Sequence, residues 1–166
     1  MLNPYPFVLS LSKHEWIAKP RFRHSSRQQS EQGELVKITR NNHPDIYPAG
    51  PTYIRSIRAG NTLYLSGCTA RNSDAEGGPV FDQLRVTLDR VVRIVEASGG
   101  SASNIVAMTT YSTDMRTMWP IEGEQVEIWE HYFKGLWPTN SYVEVSALAE
   151  PGLNVEITAT AVLDDD

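Results

Sequence analysis

One amphipathic helix, followed by two glycines, constrains this chain more than any other stretch of its sequence. Its apolar residues recur three and four positions apart, which places them on one helical face. They are Phe81, Leu84, Leu88, Val91, Val92 and Val95. The helix is predicted to end at Gly99-Gly100, because glycine readily adopts the backbone conformation that terminates a helix. A helix with a single apolar face must be covered by another layer, and the neighbouring segments indicate that this layer is a sheet.

Strand-like segments precede and follow this helix. Those before it are Leu35–Thr39, Tyr53–Ala59 and Thr62–Ser66, the last two joined by a tight turn at Gly60-Asn61. Those after it are Ile105–Thr113, Trp137–Ser146 and Leu153–Leu163, with a second helix predicted over about Pro120–Lys134. The predicted order is β-β-β-α-β-α-β-β. This is an α+β domain with a mixed sheet and two helices on one face.

The strand-like segment Leu153–Leu163 alternates most cleanly of all. One side carries Val155, Ile157, Ala159 and Ala161. The opposite side carries Asn154, Glu156, Thr158 and Thr160. A period of two predicts a strand with one covered face.

Composition divides the 166 residues into an extension, 1–34, and one globular domain, 35–166. The polar run 25–33 has no apolar period and predicts disorder. Residues 1–33 carry a net charge of +3, so the remainder carries -8 within the total of -5. An acidic body argues against nucleic acid, and no apolar run is long enough for a membrane span. The single cysteine, Cys68, favours a reducing, cytoplasmic location.

Three residues are candidates for a chemical role, and each of them also has a purely structural interpretation. Glu156 interrupts an apolar strand, so it either pairs with a base at the surface or lies in a cleft ready for proton transfer. Tyr53 is either a packing aromatic or a hydroxyl donor at a strand start. Cys68 is either a nucleophile or a small residue that lines a pocket. No phosphate-binding, dinucleotide-binding or nucleophile-elbow motif is present.

The hairpin Ser56–Gly67 resembles that of the RidA (YjgF-like) reactive-intermediate deaminases. The resemblance covers about residues 36–163. Beyond the hairpin and the first helix, it continues through Thr109–Met115, Tyr132-Phe133, Pro138 and Val155–Ile157. It implies a homotrimer with ligand sites in clefts between subunits. It also implies hydrolysis of small imines or enamines to carbonyl compounds and ammonia, without a metal or an organic cofactor.

Carried over residue by residue, the resemblance assigns three positions of the family's site. Tyr53 matches its tyrosine, Gly67 its glycine and Glu156 the glutamate that positions water. Asn140 stands where the family has an arginine that grips a substrate carboxylate. An asparagine can donate hydrogen bonds, but it cannot neutralise a carboxylate.

Further residues near this cleft are expected to bind the ligand. Arg55 lies two positions beyond Tyr53 and could take over the arginine's role. Trp129 and Tyr142 should make the pocket more aromatic, and Cys68 should line it. These features fit a larger or less charged ligand. The sequence therefore predicts a divergent RidA-family hydrolase, with a non-catalytic small-molecule-binding trimer as the first alternative and a ribonuclease as the second.

Overall fold

The computed structural model describes residues 35–164 of the chain, so the predicted extension 1–34 lies outside the described residues. The elements are β1 (Ile38–Asn41), β2 (Ser56–Ala59), β3 (Thr62–Thr69), α1 (Val80–Glu96), β4 (Ile105–Ser112), α2 (Glu124–Phe133), β5 (Thr139–Glu144) and β6 (Val155–Val162). Short 3-10 helices occupy Ala102–Asn104 and Met115–Thr117. This is the predicted order of strands and helices. Within the described part, neither helix has the length and hydropathy of a membrane span.

The strands form one mixed six-stranded sheet in the order β1-β2-β3-β6-β4-β5. Every neighbouring pair is antiparallel except β4 and β5. A parallel pair needs a crossover connection, and α2 lies within the one that joins these two strands. The last strand, β6, therefore lies in the middle of the sheet, between β3 and β4.

Both helices cover the same face of this sheet. Leu84 and Leu88 of α1 share one buried cluster with Ile128 and Phe133 of α2 and with Ile157 of β6. The alternation predicted for β6 is confirmed, since its odd-numbered residues are buried and Glu156, Thr158 and Thr160 are only partly covered. Glu156 thus lies on the sheet face turned away from the helices.

Most element boundaries differ from the predictions by a few residues, and three of these differences lie near the residues of interest. The second strand begins at Ser56 rather than Tyr53. β3 continues beyond Gly67 to Thr69 through an irregularity between Leu65 and Cys68. The second helix begins at Glu124, after Gly123, whose φ of 53° lies in the left-handed region that favours glycine.

We expect Leu88→Ala to lower the free energy of unfolding by about 2–5 kcal/mol, because the side chain is fully buried and its loss leaves a cavity. Leu136→Ala is the matched control, since Leu136 is 63% exposed. Chemical denaturation measures both changes. Equal stability losses in the two variants would contradict the described core.

Candidate functional site

A buried arginine, Arg55, joins the segments that surround the predicted catalytic residues. Its guanidinium donates to the backbone carbonyls of Tyr47 (3.0 Å), Pro48 (2.9 Å) and Gly67 (2.6 Å). It also donates to the Tyr53 hydroxyl at 3.2 Å. The Arg55 side chain therefore fixes Tyr53 relative to the end of β3.

This geometry changes the expected role of Arg55. The residue is 0% exposed, and its guanidinium stacks 4.0 Å from the centre of the Tyr47 ring. It lies behind the ligand pocket rather than on its wall. The structure thus places Arg55 as a support for Tyr53 and Gly67, instead of as the group that grips a substrate carboxylate.

Glu156, Tyr53 and Gly67 line one cavity of about 340 Å³, which we call the glutamate cavity. Its other lining residues are Tyr47, Ser66, Thr69, Arg71, Ala149 and Leu153. A Cβ atom added to Gly67 would overlap Glu156 Oε1. The glycine is therefore required so that the carboxylate can lie directly against the backbone of β3.

The Glu156 carboxyl group is half-buried and lines the glutamate cavity. Burial raises its pKa, and the positive charge of Arg55 only partly opposes that increase. No residue within the described range donates a hydrogen bond to this carboxylate. A half-buried carboxylate without a protein partner, facing a cavity, is suited to general acid–base chemistry.

Cys68 lies in the core rather than on a pocket wall. It is 0% exposed and pairs with Ile157 across the sheet, on the helix-covered face. Neighbouring strand residues point to opposite faces, so the Cys68 side chain points away from the face on which Gly67 contacts Glu156. Burial raises the pKa of the thiol to about 11, so the sulfur stays protonated at neutral pH. Neither a nucleophilic nor a pocket-lining role fits this position.

Asn140, Tyr142 and Trp129 form a second group. They line a cavity of about 300 Å³ with Ile121, Val126, Trp137 and Pro138, which we call the aromatic cavity. Asn140 and Tyr142 lie on the half-buried, helix-covered face of β5, while Val143 on the opposite face is 38% exposed. Thr110 Oγ1 donates to Asn140 Oδ1 at 3.1 Å, which orients the amide.

Tyr142 lies at the centre of this group. Its ring makes edge contacts with Trp119 and Trp129, at centroid distances of 6.1 and 6.4 Å. Burial raises the pKa of its hydroxyl to about 12, although Gln125, Asn140 and Trp129 interact with the same oxygen and oppose the shift. The phenol is therefore a neutral hydrogen-bond donor at physiological pH.

The two cavities lie on opposite faces of the sheet. Glu156 belongs to the face turned away from the helices, whereas Asn140 and Tyr142 belong to the face that the helices cover. A single chain therefore separates the predicted site residues into two groups. The residues could share one ligand only if two copies of the chain met.

Two residues near these cavities could not be identified from the sequence. Arg71 lines the glutamate cavity and forms an ion pair of 2.6 Å with Glu150. Gln125 is buried beside Tyr142, on the inner side of α2. Arg71 lies in a polar loop without a periodic pattern, so no sequence signal separated it from other surface cations. Gln125 follows Glu124 and looked like part of an acidic helix face.

Comparison with known proteins agrees with this architecture. The model of the endoribonuclease L-PSP family matches residues 44–163. The chain belongs to the RidA (YjgF-like) family. A RutC family protein of Pyrococcus horikoshii is 32% identical over 117 residues, which are 69% of this chain and 88% of that protein. A mouse 2-iminobutanoate/2-iminopropanoate deaminase is 30% identical over 116 residues, covering 68% of this chain and 82% of the mouse protein.

Solved structures also have the RidA fold found here. A YjgF/YER057c/UK114 family member from Mycobacterium tuberculosis superposes with a TM-score of 0.63 at 28% identity, covering 76% of this chain and all of that one. A Pseudomonas aeruginosa protein of unknown function gives a TM-score of 0.68 at 26% identity, covering 80% of this chain and 96% of that one. The predicted α+β fold of the RidA family is thus confirmed.

The raised pKa of Glu156 predicts a pH-dependent stability difference. The folded state prefers the protonated carboxyl, so this contribution is full at low pH and is lost as pH rises through the ordinary and then the raised pKa. The glutamine in Glu156→Gln is neutral at every pH, so the variant keeps this contribution to stability. We expect the variant to gain stability relative to the parent chain as pH rises above about 4, the ordinary pKa of a glutamate.

Denaturant midpoints measured across that pH range test this expectation. Glu127→Gln removes the same charge from the exposed side of α2 and controls for net charge. A stability difference for Glu156→Gln that stays constant, or that falls as pH rises, would contradict the described environment of Glu156.

Proposed function

We propose that this protein is a RidA-type deaminase that hydrolyses a small imine, enamine or related C–N compound. The observation that carries the proposal is the Glu156 carboxylate, which lies unpaired against Gly67 in a cavity that also contains Tyr53. The names of relatives such as the mouse deaminase support the same reaction class.

In the proposed reaction, Glu156 accepts a proton from water while the water oxygen bonds to the imine carbon. Glu156 passes this proton to the imine nitrogen, which gives a tetrahedral carbinolamine and restores the carboxylate. The carboxylate then carries the hydroxyl proton to the amine. The C–N bond then breaks, ammonia leaves and a carbonyl compound remains, so that one imine and one water give one carbonyl and one ammonia. Glu156 is the general base. Tyr53, held by Arg55, orients the reacting group by hydrogen bonding.

The proposed site is shared between copies of the chain. The glutamate cavity would supply the groups that activate water, and the aromatic cavity of a neighbouring copy would bind the rest of the substrate. The separation of the two cavities on opposite faces of one sheet supports this arrangement. A homotrimer with inter-subunit clefts, as the family resemblance implies, would bring the two faces together.

A non-catalytic binding protein is the second candidate, and Asn140 is the observation that favours it. Without the arginine, the position lacks the positive charge that would hold a 2-imino acid. The protein would then keep the cleft for recognition alone. Cleavage of RNA has less support, because residues 34–166 carry a net charge of -8.

A coupled imine assay tests the catalytic proposal. An amino-acid oxidase generates a series of imines, and carbonyl release is followed with and without the protein. We expect acceleration by the parent chain, and a loss of about 10²–10⁴-fold in Glu156→Gln, because the base is removed. Glu127→Gln, on an exposed helix face, should retain full activity.

The Asn140→Arg variant separates the two candidates. If only this variant accelerates release from 2-imino acids, the catalytic groups are intact and the natural ligand is a different one. If neither the parent nor Asn140→Arg accelerates any imine, while ligand binding is measurable, the binding protein replaces the deaminase. Full activity of Glu156→Gln would also overturn the proposed role of the glutamate.

A further inference from the structure

We propose that the aromatic cavity binds an uncharged planar ring that carries a carbonyl-type acceptor, so that the substrate is an aromatic imine or enamine. The inference rests on the proposed function and narrows its substrate class. It specifies which chemical group of the ligand would lie beside Asn140, where the family has an arginine.

The walls of the aromatic cavity favour a ring. None of its seven lining residues is charged, and three of them are the aromatic side chains Trp129, Trp137 and Tyr142. Ile121, Val126 and Pro138 complete an apolar surface. The volume of about 300 Å³ is at the lower end of the range for small-molecule sites. Flat apolar groups pack favourably against such aromatic faces.

Three hydrogen-bond donors converge on the Tyr142 hydroxyl at this cavity, and two of them are left without a formed hydrogen bond. Asn140 Oδ1 already accepts from Thr110, which leaves the Asn140 amide NH₂ to donate. Gln125 Nε2 and Trp129 Nε1 are buried without a partner among the described residues. Gln125 is 1% and Trp129 6% exposed. Both lie beside the Tyr142 hydroxyl, without the geometry of a formed hydrogen bond.

Unpaired buried donors destabilise the folded protein, and a ligand acceptor would relieve that cost. The acceptor would bind the Asn140 amide and the Tyr142 hydroxyl directly. The Tyr142 oxygen could then take the hydrogen bond from Trp129 or Gln125. Such a chain of donors ends at the ligand and requires a carbonyl-type oxygen or an equivalent acceptor.

Electrostatics decides between a neutral acceptor and a carboxylate. Burying a carboxylate without a neighbouring cation is unfavourable, even with hydrogen bonds present, because the charge loses its hydration. The residues that line the aromatic cavity offer no cation, and Arg55 lies with the glutamate cavity on the other side of the sheet. Arg71, which lines the glutamate cavity, is already paired with Glu150. A neutral carbonyl avoids this penalty. The chemistry of the cavity therefore selects an uncharged ring with an acceptor.

Binding of three small probes to the full-length protein tests the inference without any turnover. Benzamide has the ring and a neutral carbonyl, benzoate has the same ring with a charge, and propionamide has the carbonyl without the ring. We expect benzamide to bind about tenfold or more tightly than either, which corresponds to about 1.4 kcal/mol. Tryptophan fluorescence and ligand-observed NMR measure the affinities.

Matched variants assign the binding to this cavity. Trp137→Ala should weaken benzamide binding about tenfold, because a ring wall is lost. Leu136→Ala should leave it unchanged, since Leu136 is the exposed neighbour outside the cavity. Asn140→Arg should reverse the preference in favour of benzoate, because a guanidinium neutralises the carboxylate.

The possible results separate this inference from the proposed function. Benzamide preference without hydrolysis of any imine would overturn the deaminase and keep the cavity assignment. Imine hydrolysis with benzoate bound as tightly as benzamide would keep the deaminase and overturn the inference. Absence of measurable benzamide binding, or binding that Trp137→Ala leaves unchanged, would also overturn it.

Discussion

The buried guanidinium of Arg55 is the interaction on which the arrangement of this site depends. A charge in the interior is costly unless its donors are satisfied, and here backbone carbonyls rather than a carboxylate satisfy them. Those carbonyls belong to the loop before β2 and to Gly67 in β3. One side chain therefore fixes the loop, the end of β3 and the Tyr53 hydroxyl together.

A second arginine reinforces the same region. The guanidinium of Arg90, from α1, lies 4.1 Å from the centre of the Tyr47 ring, while Arg55 lies 4.0 Å from it. Arg90 also donates to the carbonyls of Thr69 and Arg71. The residues after Gly67 are thus held by side chains from the helix layer. The Glu156 carboxylate beside Gly67, by contrast, accepts no hydrogen bond from the described residues.

The sequence predicted those parts of the fold that depend on local periodicity. The apolar face of α1 and the alternation of β6 around Ile157 can both be recognised within a short stretch of sequence. Both elements are present in the structure as predicted. Arg55 could not be placed in this way, because its burial depends on carbonyls brought together only by tertiary structure. Cys68 was misplaced because an irregularity in β3 changes which face its side chain occupies. Whether Asn140 and Glu156 share a cavity depends on which face of each strand the helices cover, and the periodicity of the separate strands does not reveal this.

Subunit complementation tests most directly the claim that each site combines the glutamate cavity of one copy with the aromatic cavity of another. Glu156→Gln removes the base, and Asn140→Trp fills the aromatic cavity. Each variant should be inactive in imine hydrolysis, yet co-expressed subunits should regain activity, because a mixed oligomer contains one site with both groups intact. Mixed oligomers verified by native mass spectrometry that remain inactive would contradict the claim, as would full activity of Asn140→Trp alone.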